Sequence, residues 1–240
     1  MKLPPGASPA IERLMHHCHV RSVASKTMVV RDGHEPDTLS YLLSGSVSVV
    51  LDNREGQEMI LDYLHRGDFF GETGLFESNV RSVSVVTREA CEIAQISYDA
   101  FLRVVRDDVE ILLELAGQLS GRLRKANRKI ARSAFIDVTS RIAYALMDLA
   151  RQPEAMSHPD GTLVKISRQE IGRLIGCSRE MASRAVKELE DRGFITAHGK
   201  SIILLGAWDP RRHSDHSAFP GVQGDDSLVS FEHAPKDDLD

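Results

Sequence analysis

Ser167-Arg168-Gln169-Glu170-Ile171-Gly172-Arg173-Leu174-Ile175-Gly176-Cys177-Ser178-Arg179-Glu180-Met181-Ala182-Ser183-Arg184-Ala185-Val186-Lys187-Glu188-Leu189 decides the fold of this 240-residue chain. Ser167 with Glu170 three positions on is a capping box, so a helix starts there. Gly176 can take a left-handed conformation and turn the chain sharply. Ser178 can then cap a second helix. Ile171, Leu174 and Ile175 on the first helix face Val186 and Leu189 on the second, which buries a small shared core. A hairpin follows, with strands Phe194-Ile195-Thr196-Ala197 and Ser201-Ile202-Ile203-Leu204 around the turn His198-Gly199-Lys200. Two capped helices, a glycine corner and a hairpin make a winged helix-turn-helix.

In such a unit the second helix meets base edges with its N-terminal end, here Arg179, Glu180 and Arg184. Arginine bonds bidentately to guanine O6 and N7, and glutamate accepts from cytosine N4. Ser178 and Lys200 suit phosphates, which position without specifying. Arg168, Gln169 and Lys187 complete the expected DNA-facing set. The bland alternative is a solvated helix face with an i,i+4 ion pair; the glycine corner and two caps at this spacing speak against it.

Charge agrees once it is divided along the chain. The whole carries a formal −5. Residues 122–200 hold 16 Lys+Arg against 9 Asp+Glu, whereas residues 1–121 hold 11 against 18 and residues 201–240 hold 3 against 8. A basic block between acidic ones suits one domain facing a polyanion.

Upstream, from about Ser25 to Ser97, short alternating runs such as Ser46-Val47-Ser48-Val49 are punctuated by glycines, with Asp52-Asn53-Arg54-Glu55-Gly56 reading as a hairpin loop. Many short strands at this spacing suggest a jelly-roll-like domain. After Tyr98 the period changes. Leu112, Leu115, Leu119, Leu123, Ala126 and Ile130 recur at three- and four-residue steps, predicting one long helix with a narrow apolar seam suited to a coiled-coil dimer. A helix packed on its own β domain is the alternative. From about Ala207 the chain is polar and acidic and reads as disordered.

Within the β region, Gly67-Asp68-Phe69-Phe70-Gly71-Glu72-Thr73-Gly74-Leu75-Phe76 is followed by Arg81-Ser82. Glycines let backbone N–H groups approach a phosphate, Arg81 supplies the counter-charge, Ser82 a further donor, and Glu72 an acceptor for a ribose hydroxyl. Alone, such a run is a weak signal, because turns between strands often produce it.

Other chemistry is poorly supported. Cys18, Cys91 and Cys177 are odd in number and widely spaced, which argues against a disulfide framework and suits a reducing cytoplasm. Cys177 abuts a helix N-terminus that can activate a thiol, though a buried structural thiol is the plainer reading. His16-His17-Cys18-His19 looks like a metal cluster but is placed on a short helix without a closed ligand geometry; His213 and His216, in the polar tail, are weaker still. No nucleophile–base constellation is visible, so an enzyme is not expected. Neither a secretory signal nor a membrane span is expected.

Taken together, these residues resemble the Crp/Fnr family from about Leu14 to Gly206, including GSVSV, GQEMILDYL, GDFFGE, CEIAQISY, AFIDVTSRIA, PEAMSHPDGT, SRQEIGRLIGCSRE and HGKSI. The resemblance implies an α+β chain: a cyclic-nucleotide-binding jelly roll (1–108), a long dimerisation helix (109–135), a winged helix-turn-helix (136–206) and an acidic tail (207–240). It implies a homodimer gated by a cyclic nucleotide, cyclic AMP first and cyclic di-GMP as the alternative, with no further cofactor. Gly71, Glu72, Arg81 and Ser82 would hold the sugar-phosphate, with Arg122, Ala126 and Asn127 on the long helix. Arg179, Glu180 and Arg184 would read double-stranded DNA half-sites of the TGTGA type. Ala155 to Thr162 matches the surface through which the family contacts RNA polymerase, and His19 and Arg21 part of a second such surface, where Ala100 replaces a lysine. One departure matters. Members that bind cyclic AMP place Thr-Ser where this chain has Ala126-Asn127, so the base-reading hydrogen bond is lost or passes to Asn127. Two alternatives remain: a ligand-independent DNA-binding protein with a vestigial pocket, and a nucleotide-binding regulatory subunit of an enzyme.

Overall fold

The structure, a computed structural model, describes residues 3, 4, 6–52, 57–76 and 81–206. The N-terminal half is built from two four-stranded antiparallel sheets. One runs β1 (His19–Val23), β8 (Cys91–Ser97), β3 (Thr38–Ser44), β6 (Phe69–Phe70); the other runs β2 (Met28–Val30), β7 (Ser84–Thr87), β4 (Ser46–Asp52), β5 (Glu58–His65). Leu42, Val47, Leu64, Phe70, Val85 and Ile93 fill one core of this roll. The alternation expected from Ser46 to Val49 is not kept, since Ser46 is buried and Val49 only half-buried; a register shift follows between Val49 and Val50, where β4 meets β5, as a bulge produces.

Helices close the roll. α1 (Pro9–Met15) starts at Ser8, whose side chain accepts from Ile11 N, and its Ile11 and Leu14 are buried. His16 caps the end of α1 and His19 opens β1, so the histidine tract does not share one short helix. No group of three or more potential ligands could hold a metal among the described residues. α2 (Thr73–Phe76) is a single turn, and α3 (Tyr98–Asp107) is capped by Ser97.

α4 (Val109–Phe135) is the long helix, and its apolar residues divide differently from the expected single seam. Ile111 and Leu115 are fully buried against the roll, with Leu119 packed beside them. Leu113, Leu123 and Ile130 remain 64%, 63% and 67% exposed. The bare stripe is therefore Val109, Leu113, Ala116, Ser120, Leu123, Asn127 and Ile130, at alternating four- and three-residue steps. The expected seam merged two faces: Leu115 and Leu119 serve the chain's own core, and only Leu123, Ala126 and Ile130 of that seam are exposed.

α5 (Val138–Ala150) leads into a winged helix unit: β9 (Met156–His158), β10 (Gly161–Lys165), α6 (Arg168–Ile175), α7 (Arg179–Asp191), β11 (Ile195–His198) and β12 (Ser201–Leu205), with sheet order β11-β12-β10-β9. Ile142, Leu146, Ile171, Ala182, Val186, Leu189, Ile195 and Ile202 form its core, which continues into Ile60 and Tyr63 of β5. The architecture is the expected jelly roll, long helix and winged helix-turn-helix. Asn53 to Gly56 of the expected hairpin loop, and the expected disordered tail with His213 and His216, lie outside the described residues. Among the described residues, no helix is long and apolar enough to cross a membrane.

Candidate functional site

Two sites take shape, one in the roll and one on the winged helix. In the roll, Gly71 adopts φ +79, and a Cβ there would lie 2.8 Å from Arg81 Nη1 and 3.1 Å from the Thr38 carbonyl. Only glycine fits that corner. Gly74 is equally constrained, because an added Cβ would overlap the Pro36 ring at 2.3 Å. The loop is thereby drawn onto Arg81.

Arg81 is 7% exposed. Its Nη2 donates to the Thr38 carbonyl at 3.3 Å and to Thr38 Oγ1 at 3.5 Å, and Asp37 Oδ1 lies 3.7 Å away. Its Nη1 is shielded from solvent and has no hydrogen-bond partner among the described residues. A buried, half-satisfied guanidinium is costly unless an acceptor meets it. Here it faces the Gly71 backbone, and the donor set fits an anion such as a phosphate. Ser82, next in the chain, is exposed.

The long helix closes the other side. Arg122 donates through Nη1 to Glu72 Oε1 at 3.3 Å and through Nη2 to the Phe69 carbonyl. Gln118, one turn earlier, accepts from Phe69 N at 2.9 Å and donates to the Gly67 carbonyl at 2.8 Å. Ala126 and Asn127 are exposed one turn beyond Arg122. Gly71, Glu72, Arg81 and Arg122 thus converge. Sequence reasoning missed Thr38, Asp37, Gln118 and Tyr98, whose hydroxyl donates to the Gly71 carbonyl. Their only sequence signal was the placement of Tyr98 at a strand-to-helix junction.

The winged helix follows its local chemistry. Ser167 Oγ accepts from Glu170 N at 3.1 Å, Gly176 takes φ 73 and ψ 45, and Ser178 Oγ accepts from Met181 N at 3.1 Å. At Gly172 a Cβ would stand 2.6 Å from the Cys177 carbonyl, so a second glycine lets the corner fold back on α6. Burial pushes the Cys177 thiol up rather than activating it. Arg179, Glu180 and Arg184 are exposed. The i,i+4 pair of the bland alternative is not formed among the described residues; the ion pairs of α7 are those of Lys187 and Arg192. The Glu180 carboxyl is held below its ordinary value, first by its own backbone N–H at the helix start and then by Ser178.

The remaining expected residues are less uniform. Gln169 and Lys200 are exposed. Arg168 leans on the wing, with Nη1 3.5 Å from the Gly199 carbonyl, and Lys187 pairs with Asp191 at 2.8 Å. Both are drawn toward their own unit, unlike Arg179 and Arg184.

Comparison with known proteins agrees with this geometry. Residues 20–108 match the cyclic nucleotide-binding domain family, and residues 140–207 match the Crp-like helix-turn-helix domain. The chain is 46% identical over 207 residues to the cAMP-activated global transcriptional regulator CRP of Pasteurella multocida, covering 86% of this chain and 99% of that one. It is 45% identical over 200 residues to the cAMP-activated global transcriptional regulator Vfr of Pseudomonas aeruginosa, covering 82% and 94%. Among solved structures, the c-di-GMP responsive global regulator CLP of Xanthomonas campestris superposes with a TM-score of 0.77 at 45% identity, covering 82% of this chain and 98% of that one. With both domain families in order and such identity across most of its length, the chain belongs to the Crp/Fnr family of DNA-binding transcriptional regulators.

Proposed function

We propose that the chain acts as a homodimer in the reducing cytoplasm, takes a cyclic nucleotide in the Gly71–Arg81 cradle, and thereby sets its affinity for DNA. The observation that carries this reading is the buried Arg81, whose Nη1 has no partner among the described residues and faces a corner where only glycine fits. Gly71 N–H and Arg81 would hold the phosphate, Ser82 would add a donor, and Glu72, steadied by Arg122, would accept a ribose hydroxyl. This reading gives the chain no catalytic step.

The bare stripe on α4, from Val109 to Ile130, supports the dimer: its four-three spacing is that of a two-helix seam. Asn127 falls on that stripe, and a polar residue in such a seam fixes register. Arg179, Glu180 and Arg184 would read half-sites of the TGTGA type, with Ser178, Lys200, Arg168, Gln169 and Lys187 on phosphates. The partly exposed segment around β9, Ala155 to Thr162, would meet RNA polymerase.

Cyclic AMP is the first choice of effector, since the curated relatives named above are cAMP-activated. Ala126 favours a second reading. It offers the base no hydrogen bond, and a neighbour of similar fold and 45% identity is c-di-GMP responsive. Titrating each nucleotide in a mobility assay with a duplex carrying two TGTGA half-sites tests both. Retardation that depends on one nucleotide is expected. Strong retardation indifferent to both would leave a ligand-independent DNA-binding protein.

A further inference from the structure

The winged helix is fastened to the roll of its own chain by a group of side chains that neither site uses. Tyr63 on β5 donates its hydroxyl to Glu170 Oε1 of α6 at 2.7 Å. The Arg88 guanidinium stacks 4.1 Å above the Tyr63 ring, a favourable cation–π geometry. From there Arg88 Nη2 stands 3.8 Å from Glu170 and Nη1 3.9 Å from Glu154. His65, two residues beyond Tyr63, meets Glu154 Oε1 through Nδ1 at 2.8 Å. At the far end of β5, Glu58 pairs with Arg173 of α6.

Three features separate this group from ordinary surface pairs. Its central members, Tyr63, His65, Arg88, Glu154 and Glu170, are at most 36% exposed, so water screens them less than rim charges. Beneath them the apolar core is continuous, since Ile60 and Tyr63 of β5 pack with Ile171 and the rest of the winged unit. Lastly, Glu170, whose N–H takes part in the Ser167 cap, turns its carboxylate to Tyr63. With these contacts made, Arg179, Glu180 and Arg184 on α7 are bare.

We propose that Tyr63, His65 and Arg88, with Glu154 and Glu170, form a clasp that holds the winged helix on the roll in the posture that presents the reading helix to DNA. These are positioning residues: they act on operator binding through α6, although three of them belong to the nucleotide-binding domain. The inference rests on the DNA-reading assignment of α7 and is independent of which nucleotide fills the cradle.

The test uses the full chain with Tyr63→Phe, Arg88→Ala, Arg88→Lys and Glu154→Gln. Operator and random duplexes are compared by fluorescence anisotropy, nucleotide binding by calorimetry, and the protection of α6 and β5 amides by hydrogen exchange. Tyr63→Phe and Arg88→Ala should each weaken operator binding by about tenfold or more, the scale of one hydrogen bond to a charged group. Nucleotide affinity should hold, α6 and β5 should exchange faster, and Arg88→Lys should restore part of the loss. Should Tyr63→Phe fail to fold, Glu154→Gln, at a partly exposed site, reads the same clasp. Unchanged exchange at α6 would overturn the proposal whether or not the wild type prefers the operator. So would operator binding that stays the same, or tightens, in stably folded Arg88→Ala.

Discussion

The molecule holds two arginine sites of opposite design. Arg81 is sunk into the roll, half-satisfied by Thr38 and pinned by a glycine corner. Arg179 and Arg184 are exposed on α7. A buried guanidinium is already desolvated and oriented, so an arriving phosphate meets a fixed donor and little ordering is left to do. An exposed one keeps its rotamers until it finds a base edge, and so contributes discrimination rather than a preformed cavity. Burial suits one small ligand; exposure suits many sequences with a preference for one.

That contrast breaks first at Arg81. Replacing it with Gln should weaken cyclic-nucleotide binding by about 3 kcal/mol, roughly a hundredfold, because charge-assisted bonds from an oriented cation are lost. Calorimetry measures this, and binding to random DNA should not change. On the exposed side, Arg184→Ala should cost ~1–3 kcal/mol in specific binding and relax the preference for operator over random DNA. An unchanged preference in competition anisotropy would remove Arg184 from base reading.

Between the two sites runs α4, and here the comparison can be sharpened. Leu123→Ala on the bare stripe should weaken self-association by about 1.5 kcal/mol per protomer, measured by sedimentation, with little change in the monomer's stability. Leu115→Ala, on the face buried in the roll, should destabilise the fold itself by ~2–5 kcal/mol. Equal effects on association would mean that the two faces of α4 are not distinct.

The smallest expected effect concerns Glu154. Burial works to raise its carboxyl, but the His65 hydrogen bond and the nearby cations outweigh it and hold it below the ordinary range. A depressed acid stabilises the fold above its unfolded value and loses that contribution as pH falls through the folded value. The melting-temperature gap between wild type and Glu154→Gln should therefore be present near neutrality and close as the pH falls below the ordinary carboxylate range. A gap that persists into acid would show that the carboxylate's charge does not matter there.

How much the sequence disclosed follows from the range of the interactions. The winged helix was legible because its determinants are local: Ser167 and Ser178 cap within three residues, and Gly176 turns where it stands. The cradle was half legible. Gly71, Glu72 and Arg81 lie within one short segment, but Thr38 reaches Arg81 and Tyr98 reaches Gly71 only through sheet pairing and helix packing. The seam of α4 was misplaced for a similar reason. Periodicity shows that Leu115 and Leu123 share helical spacing, yet it cannot tell that one meets the roll and the other is bare. The β5–α6 clasp joins Tyr63 to a residue 107 positions away, and no pattern along the chain announces it.

The most direct measurement is operator affinity against nucleotide concentration, for the wild type and Arg81→Gln side by side. In the wild type, operator affinity should shift at least about tenfold across the titration, a coupling of roughly 1.4 kcal/mol. The Arg81→Gln curve should stay flat while both proteins keep the same affinity for random DNA. Equal responses from the two proteins would contradict the account, because the buried arginine would then not be what senses the nucleotide.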